Sequence, residues 1–499
     1  MPLDFVITSD RLSTHPEARD FINFLRNEQA ALNLQDAVVY YDFPAYSGYD
    51  AGTAKADILI LSQSVGLLAV RLVVDGLFNG GANVEDLDQQ LVDFSSNLYS
   101  RLVRSRELRI SLSKSIVDVV AVLIDLRSDR GKYPLATESF ESNICPSFEN
   151  FASLIASLKS TKLTSAQFAE ARSVIEGAKA LYRVQKRVVQ DPAQEPLAAQ
   201  MQLIENEIAN FDQMQRRIAL VDVGGPARIR GLAGSGKTVI LAMKAAHLHL
   251  NNPSANILVT FFTKSLRATL KNLIAKFYRH YAESDPDWKV LHIRHGWGGA
   301  SVPGVYSDAC RRKGIVPLNF ADARRISKDS GNAFQTVCDH LLSLGPLEPH
   351  YDHVLIDEGQ DFPASFYQLC YAITKGTRDK KSIVWAYDEL QDILNGKIRQ
   401  PDELFGKDGT GEPYVSLDRT SAALPPGATN DAVLSKCYRN QRNVLVAAHA
   451  QDLASMEHPF RCWRVPSIGM MLGTKCCLAL SLKVKKLKSC GPKRILLFK

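Results

Sequence analysis

The chain has 499 residues and a mass of 55.2 kDa, which is too long for one compact domain and favours about two or three domains. Hydrophobic residues make up 45% of the chain and charged residues 23%, so the composition excludes an intrinsically disordered protein as the default. The formal net charge is +7, but ten basic residues and no acidic residue follow Glu457. Overall charge therefore gives no argument for nucleic-acid binding.

The N-terminal sequence, the length of the apolar runs and the spacing of the cysteines bear on the cellular compartment. The N-terminal sequence MPLDFVITSDRLS lacks the basic start and long apolar core of a signal peptide, and no apolar run has the length of a membrane span. The nine cysteines are scattered without Cys-x-x-Cys pairs, which favours reduced thiols over disulfides or a zinc site. We expect a cytoplasmic protein with no membrane partner. No protein partner can be predicted from the sequence.

Residues 1–146 have the pattern of a small α/β unit. A helical segment from Pro16 to Leu34 precedes three apolar runs, DAVVYYDF, ADILILS and LLAVRLVV, which read as strands. Residues 83–109 form a second helical pattern, and SIVDVVAVLIDL reads as a buried strand. Residues 147–210 are mostly helix formers with apolar residues at helical spacing, and we interpret them as a helical connector.

From Ala227 onward the pattern changes to short apolar runs that alternate with helices. ARIRG, NILVTFF, HVLIDE and SIVWAYD are the apolar runs, and the helical segment KTVILAMKAAHLHL ends at Asn251, Asn252 and Pro253. Strands that alternate with helices predict a parallel sheet covered by helices on both faces. The predicted fold class is therefore α/β, with this second unit spanning residues 211–450.

One glycine-rich segment lies between a predicted strand and a predicted helix, and it matches the pattern G-x-x-x-x-G-K-[ST]. Its residues are Gly231, Leu232, Ala233, Gly234, Ser235, Gly236, Lys237 and Thr238. Glycines let the backbone curl so that its N–H groups face phosphate oxygens, and the helix N-terminus favours an anion. Lys237 would reach the β- and γ-phosphates of ATP, and the Thr238 hydroxyl would ligate Mg²⁺.

A carboxylate pair ends the strand HVLIDE and supplies the second half of an ATPase site. Asp357 would hold Mg²⁺, and Glu358 would position and deprotonate the attacking water. The alternative is an acidic cluster that caps the next helix, with Asp361 as the cap. The phosphate loop favours the catalytic interpretation.

These motifs resemble those of the UvrD/Rep-like superfamily 1 DNA helicases, in the same order. AGSGKT is similar to motif I, LVTFFTKSL to motif Ia, HIRHGWGG to motif Ib, IDEGQDF to motif II, AYDELQDI to motif III and KCYRNQRNVLVAAH to motif IV. The resemblance implies a RecA-like P-loop NTPase domain. It also implies that Gln215 reads adenine, Gln391 senses the γ-phosphate, Arg439 stabilises transition-state charge and Tyr438 stacks on the base.

The same resemblance implies single-stranded DNA, or DNA with a 3′ overhang, as the partner, with movement from 3′ to 5′. Aromatic faces stack on bases and lysine neutralises phosphate, so five residues of the motif Ia and Ib segments are candidate contacts. They are Phe262, Thr263, Lys264, His295 and Trp297. RNA stays open as an alternative, and no pathway is indicated.

The first unit resembles the restriction-endonuclease-like domain that is sometimes fused to such helicases. Asp57 stands where the first metal-binding carboxylate of that fold would fall. The next strand should carry an acidic residue and a lysine two positions on, but this chain has Arg71 and Val73 there. Without these groups a Mg²⁺ site lacks charge and the water lacks a partner. We therefore expect a degenerate domain that packs or docks DNA without cutting it.

Residues 451–499 do not resemble any part of the family's sequence pattern. The second RecA-like domain, with motifs V and VI, has no counterpart in this basic, cysteine-containing segment, which reads as a truncated or frame-shifted end or as a genuine basic tail. We expect the chain to bind ATP without unwinding a duplex. Two alternatives to a helicase or helicase fragment stay open: a non-translocating ATP-binding switch that binds DNA or protein, and a nuclease regulated by the phosphate-loop unit.

Overall fold

The computed structural model describes residues 3–34, 36–47, 53–75, 84–128, 135, 140–158, 161–177, 213–299, 302–327, 332–388, 399–421, 424 and 428–437. Within these ranges, no helix has the length and apolar character needed to cross a membrane. The basic tail, residues 451–499, and most of the predicted connector lie outside them.

The described part of the chain alternates between short strands and helices. The strands are β1 (Asp4–Ile7), β2 (Ala37–Tyr41), β3 (Ala45–Ser47), β4 (Thr53–Lys55), β5 (Ile58–Ser62), β6 (Gly66–Val73), β7 (Arg109–Ser111), β8 (Lys114–Ser115), β9 (Val119–Asp125), β10 (Asn143–Cys145), β11 (Ala227–Gly231), β12 (Ile257–Phe261), β13 (Leu291–His295), β14 (His353–Ile356), β15 (Ser382–Tyr387) and β16 (Asp431–Leu434). The helices are α1 (Pro16–Asn27), α2 (Val84–Arg104), α3 (Phe148–Ser157), α4 (Ser165–Ile175), α5 (Gln213–Leu220), α6 (Lys237–Asn251), α7 (Leu266–Tyr281), α8 (Val305–Arg312), α9 (Phe320–Ile326), α10 (Ala333–Ser343), α11 (Ala364–Ile373), α12 (Pro401–Phe405) and α13 (Leu417–Ser421).

The first sheet has six strands in the order β1-β2-β5-β6-β9-β10. The pairs β2–β5 and β5–β6 are antiparallel, and the other three pairs are parallel. Helices cover both faces: Phe21 of α1 meets Phe148 and Phe151 on one side, while Phe94 and Leu98 of α2 pack on the other. The sheet is therefore the middle layer of a mixed α/β unit.

The second sheet is also six-stranded, in the order β13-β12-β14-β15-β11-β16, and every pair in it is parallel. Successive residues of β12 alternate between its two faces. Val259 packs with α6 and α7, while Leu258 packs with the helices between β13 and β15. The predicted α/β class is confirmed, since the sheet is parallel and helices cover both of its faces.

One of the hydrophobic clusters includes residues of both sheets. Residues of β2, α2, α6, α7 and the second sheet belong to the same buried cluster. At the contact, the Phe43 ring lies 5.2 Å from His247 and 5.8 Å from Tyr281, and Arg101 donates to the carbonyl of His280. The first unit is thus packed against the second rather than tethered to it.

The predicted connector begins inside the first unit. Helices α3 and α4 occupy its first part, and Phe151 and Ile155 of α3 enter the core of the first sheet. The sequence pattern indicated helix here, but helical spacing alone does not reveal which sheet a helix covers. Residues 178–210, the rest of that prediction, lie outside the described residues.

We expect the free energy of unfolding to decrease as the pH falls from about 6.5 towards about 4. Burial lowers the pKa of both His247 and His280 to about 4, so the folded chain keeps these rings neutral. The unfolded chain takes up protons near pH 6.5, and the stability present above that pH is lost as the pH falls through the folded pKa. Urea unfolding at pH 7 and pH 5, followed by tryptophan fluorescence, measures the difference.

His280→Gln provides the comparison for this prediction. Its amide can replace the ring nitrogen that lies 2.8 Å from the Val174 carbonyl, and it does not titrate. The pH-dependent loss of stability should be smaller in the variant. An equal loss in the two proteins would contradict the assignment to His280.

Candidate functional site

The glycine-rich loop connects β11 to α6 at the carboxyl edge of the second sheet. Gly234 and Gly236 have φ of +83° and +93°, a region that glycine enters without a steric cost. Gly236 is the N-cap of α6 and has no side chain to bond the first N–H groups of the helix. These N–H groups and the positive end of the helix dipole therefore face the inside of the loop, where an anion would be stabilised.

Close packing fixes the shape of this loop. A Cβ atom at Gly231 would lie 2.5 Å from Ser235 Oγ, and one at Gly236 would lie 2.8 Å from Gln215 Nε2. Neither position has room for a side chain unless its neighbours move. The glycine spacing of the motif thus has a steric origin in this chain as well as a conformational one.

Lys237, the first residue of α6, is 6% exposed and points back into the loop. Its ammonium donates to the carbonyls of Gly231 at 2.7 Å and Leu232 at 3.1 Å, and it lies 3.6 Å from Asp388 Oδ2. A buried ammonium is tolerated where hydrogen bonds and an opposite charge compensate its lost hydration. The sequence analysis did not single out Asp388, although its position after β15, at the same sheet edge, could have identified it.

Asp357 follows β14 and is fully buried beside Thr238. Burial, and then the charge of Glu358, raise the pKa of Asp357 to about 6, against hydrogen bonds from the Thr238 side chain and the Glu358 N–H. Its Oδ2 atom is buried with no hydrogen-bond partner among the described residues. A buried, unsatisfied carboxylate oxygen next to a hydroxyl fits Mg²⁺, which binds through one or two protein oxygens plus phosphate and water.

Glu358 and Asp388 are joined through Gln360. The Gln360 amide donates to Glu358 Oε2 at 2.6 Å, and its Oε1 accepts from the Asp388 N–H at 3.1 Å. Glu358 itself has φ +52°, which is uncommon for a residue with a side chain and costs of order 1 kcal/mol. Three loops, after β11, β14 and β15, are therefore connected by direct contacts through Lys237, Asp388, Gln360 and Glu358.

Gln215 of α5 contacts the loop from the side. Its Nε2 donates to the Ser235 carbonyl at 2.7 Å, and the residue is 5% exposed. From the other direction, the Cys437 thiol donates to the Ala233 carbonyl at 3.1 Å. The next residues in the chain, Tyr438 and Arg439, lie outside the described residues, as does Gln391.

The predicted nucleic-acid contacts fall into two groups. Phe262, Thr263 and Lys264 follow β12 and are exposed, and the Phe262 ring lies edge-on to Phe362 at 5.6 Å. An exposed aromatic face next to a lysine is the chemistry that binds a base and its phosphate.

His295, the last residue of β13, and Trp297 are partly buried, and both make hydrogen bonds that stabilise the turn after this strand. His295 Nδ1 accepts from the Trp297 N–H at 3.1 Å, and burial lowers its pKa. The Trp297 indole stacks on Phe334 at 5.3 Å and donates to the Leu318 carbonyl at 3.2 Å. One face and the N–H edge of the Trp297 indole, and the Nδ1 edge of the His295 ring, are therefore occupied by contacts within the protein.

Phe320 is an aromatic residue that the sequence analysis missed. It is 54% exposed, lies 6.2 Å from Trp297, and has the Arg324 guanidinium 4.7 Å from its ring centre. A row of rings runs from Phe262 through Phe362, Phe334 and Trp297 to Phe320. The motif pattern did not include Phe320, although an aromatic residue directly before the arginine-containing segment ADARRISK could have identified it.

In the first unit, Arg71 compensates the charge of Asp57. Asp57 Oδ2 accepts from the Leu72 N–H at 2.8 Å, and Oδ1 lies 3.5 Å from Arg71 Nη1. Arg71 also donates to the Lys55 carbonyl, and Val73 is fully buried. In the described ranges, no group of three or more His, Cys, Asp or Glu side chains has a metal-binding arrangement.

No protein-family model matches the chain, and no curated protein sequence is significantly similar to it.

We expect the full chain to leave plasmid DNA intact in the presence of Mg²⁺ or Mn²⁺, because Arg71 holds a positive charge where a metal would need a second carboxylate. Agarose electrophoresis after incubation gives the result. Cleavage by the wild type that disappears in Asp57→Ala would show instead that this carboxylate is catalytic.

Proposed function

We propose that this chain is an ATP-dependent motor protein of the UvrD-like superfamily 1 helicase type, which couples ATP hydrolysis to binding of single-stranded DNA. One observation carries the proposal: Lys237, Thr238, Asp357 and Glu358 meet at the carboxyl edge of one parallel sheet. In open α/β sheets, ligands bind at this edge. The finer fold assignment, a RecA-like P-loop NTPase domain, rests on the same convergence.

Each side chain then has a distinct role in phosphoryl transfer. Lys237 would exchange its contact with Asp388 for phosphate oxygens, which the loop N–H groups and the α6 dipole also bind. Thr238 and Asp357 would hold Mg²⁺, which neutralises phosphate charge when bound. Glu358 would orient the attacking water and accept its proton.

The contact between Gln360 and Glu358 supports a role for motif III in coupling. Gln360 holds the Glu358 carboxylate and bonds the backbone of Asp388, three residues before Gln391. A change at the γ-phosphate that moves Lys237 or Asp388 would therefore also move the water-activating group.

The aromatic row supports single-stranded nucleic acid as the partner. Phe262 and Phe320 are exposed at its two ends; Lys264 lies two residues after Phe262, and the Arg324 guanidinium lies over the Phe320 ring. Stacking contributes about 1–3 kcal/mol per base and tolerates any sequence. A non-translocating ATP-binding module would share this geometry, so stimulation of hydrolysis, and not binding alone, separates the two functions.

For the nucleotide site, Lys237→Ala should weaken ATP binding about ten- to a hundredfold, since a buried charged donor is lost. Glu358→Gln should leave binding intact and slow hydrolysis about 10²- to 10⁴-fold. Isothermal titration and phosphate release measure the two effects. Lys276→Ala, at an exposed position of α7, is the matched control. Unchanged affinity in Lys237→Ala would refute the phosphate-loop assignment.

For the nucleic-acid site, Phe320→Ala and Phe262→Ala should each weaken binding of oligo-dT at least about fivefold, through lost stacking. Fluorescence anisotropy of a labelled oligonucleotide gives the affinity, and oligo-rU tests RNA. Val316→Ala, which alters an 83% exposed side chain between β13 and β14, is the control. ATP hydrolysis that oligo-dT does not stimulate would favour the non-translocating module over the motor.

A further inference from the structure

Helix α5 touches three different parts of the molecule through three consecutive residues. Gln215 donates to the phosphate loop at Ser235, Arg216 pairs with Glu176, and Arg217 pairs with Asp4. Successive residues of an α-helix point about 100° apart, so these contacts lie on different sides of it. An eight-residue helix has little stability of its own. Its orientation is therefore set by these partners and by the core beneath it.

The partners of Arg216 and Arg217 belong to the first unit and form one ionic network around the buried Glu176. Glu176, at the end of α4, is 1% exposed and accepts from Arg172 Nε at 2.8 Å and from the Tyr40 hydroxyl at 2.9 Å. Its other oxygen lies 2.8 Å from Arg216 Nη1. Although burial alone would lower the pKa of Arg172, the charges of Glu176 and Asp4 raise it.

Asp4 closes the network at the first strand of the first sheet. Its two carboxylate oxygens lie 2.9 Å from Arg217 and 3.0 Å from Arg172. Arg217 also donates to the Phe5 carbonyl at 2.7 Å, and the Asp222 N–H donates to the Thr8 carbonyl at 3.2 Å. Residues of β1 therefore contact the middle of α5 at Arg217, and Thr8 contacts the chain just after the helix at Asp222.

We propose that the first α/β unit positions Gln215, and through it sets the base preference and affinity of the nucleotide site. Arg216 is the main positioning residue, because it directly follows Gln215 in the chain and its guanidinium pairs with the buried Glu176. The inference rests on the proposed nucleotide function and names the regulation of that site. By linkage, a ligand that displaces β1 or α4 changes nucleotide affinity, and nucleotide binding changes the affinity for that ligand equally.

A double-mutant cycle on the full chain tests this coupling. Fluorescent N-methylanthraniloyl derivatives of ATP and GTP are titrated against wild type, Arg216→Ala, Gln215→Ala and the double variant. We expect Arg216→Ala to reduce the preference for ATP over GTP about three- to tenfold, which is the change expected when Gln215 loses one hydrogen bond to the base. In the Gln215→Ala background the same change should have no further effect, because Arg216 acts through Gln215.

Controls separate positioning from loss of folding. Arg279→Ala, at a 58% exposed arginine of α7 paired with Asp285, should leave the preference unchanged. Arg216→Lys keeps the charge opposite Glu176 and should restore most of the preference. Asp4→Asn weakens the network from the opposite end and should act in the same direction as Arg216→Ala, provided that thermal melts show each variant folded.

The outcomes distinguish this inference from the function on which it rests. Nucleotide binding that Lys237→Ala does not weaken overturns both. Lys237-dependent binding with no preference for ATP over GTP in the wild type overturns the inference alone, since Gln215 then reads no base. The same holds if the effects of Arg216→Ala and Gln215→Ala on the preference are simply additive, which would mean that Arg216 acts independently of Gln215.

Discussion

Charge buried at the carboxyl edge of the second sheet is the constraint on which the candidate site depends. Lys237, Asp357 and Asp388 are all at most 6% exposed. An ion taken out of water must find opposite charge and hydrogen bonds, or the fold loses several kcal/mol. Lys237 finds two carbonyls within its own loop, and it meets Asp388 because β11 and β15 are adjacent and parallel. The sheet order and the charge arrangement therefore require each other.

Much of this arrangement follows from sequence. The phosphate-loop pattern defines a strand, a tight glycine turn and a helix, and the structure has β11, the loop and α6 at those residues. HVLIDE identified the end of a buried strand, because apolar residues followed by carboxylates indicate where a strand leaves the core. In both cases local chemistry fixes the local conformation, so a short window of residues suffices.

Contacts between distant segments were less predictable. The sequence analysis did not anticipate that Gln360 would join Glu358 to Asp388, that Arg71 would compensate Asp57, or that Trp297 would be held by Leu318 and Phe334. Each depends on which strands are neighbours and on where a turn directs a side chain. The short strands β3, β4, β7 and β8 were missed for a related reason, since hairpins of two or three residues carry too little periodicity to read.

The position of β11 has a consequence for how this chain is made. Its two neighbours in the sheet are residues 382–387 and 431–434, which follow it by more than 150 residues. On the ribosome, β11 and its glycine loop emerge long before either neighbour, and closing such long loops is slow. Asp431 pairs with Arg228 and Arg230 of β11 once β16 has been synthesised. The glycine-rich loop is thus completed only after β15 and β16 have been synthesised, and until then β11 is without its partners in the sheet.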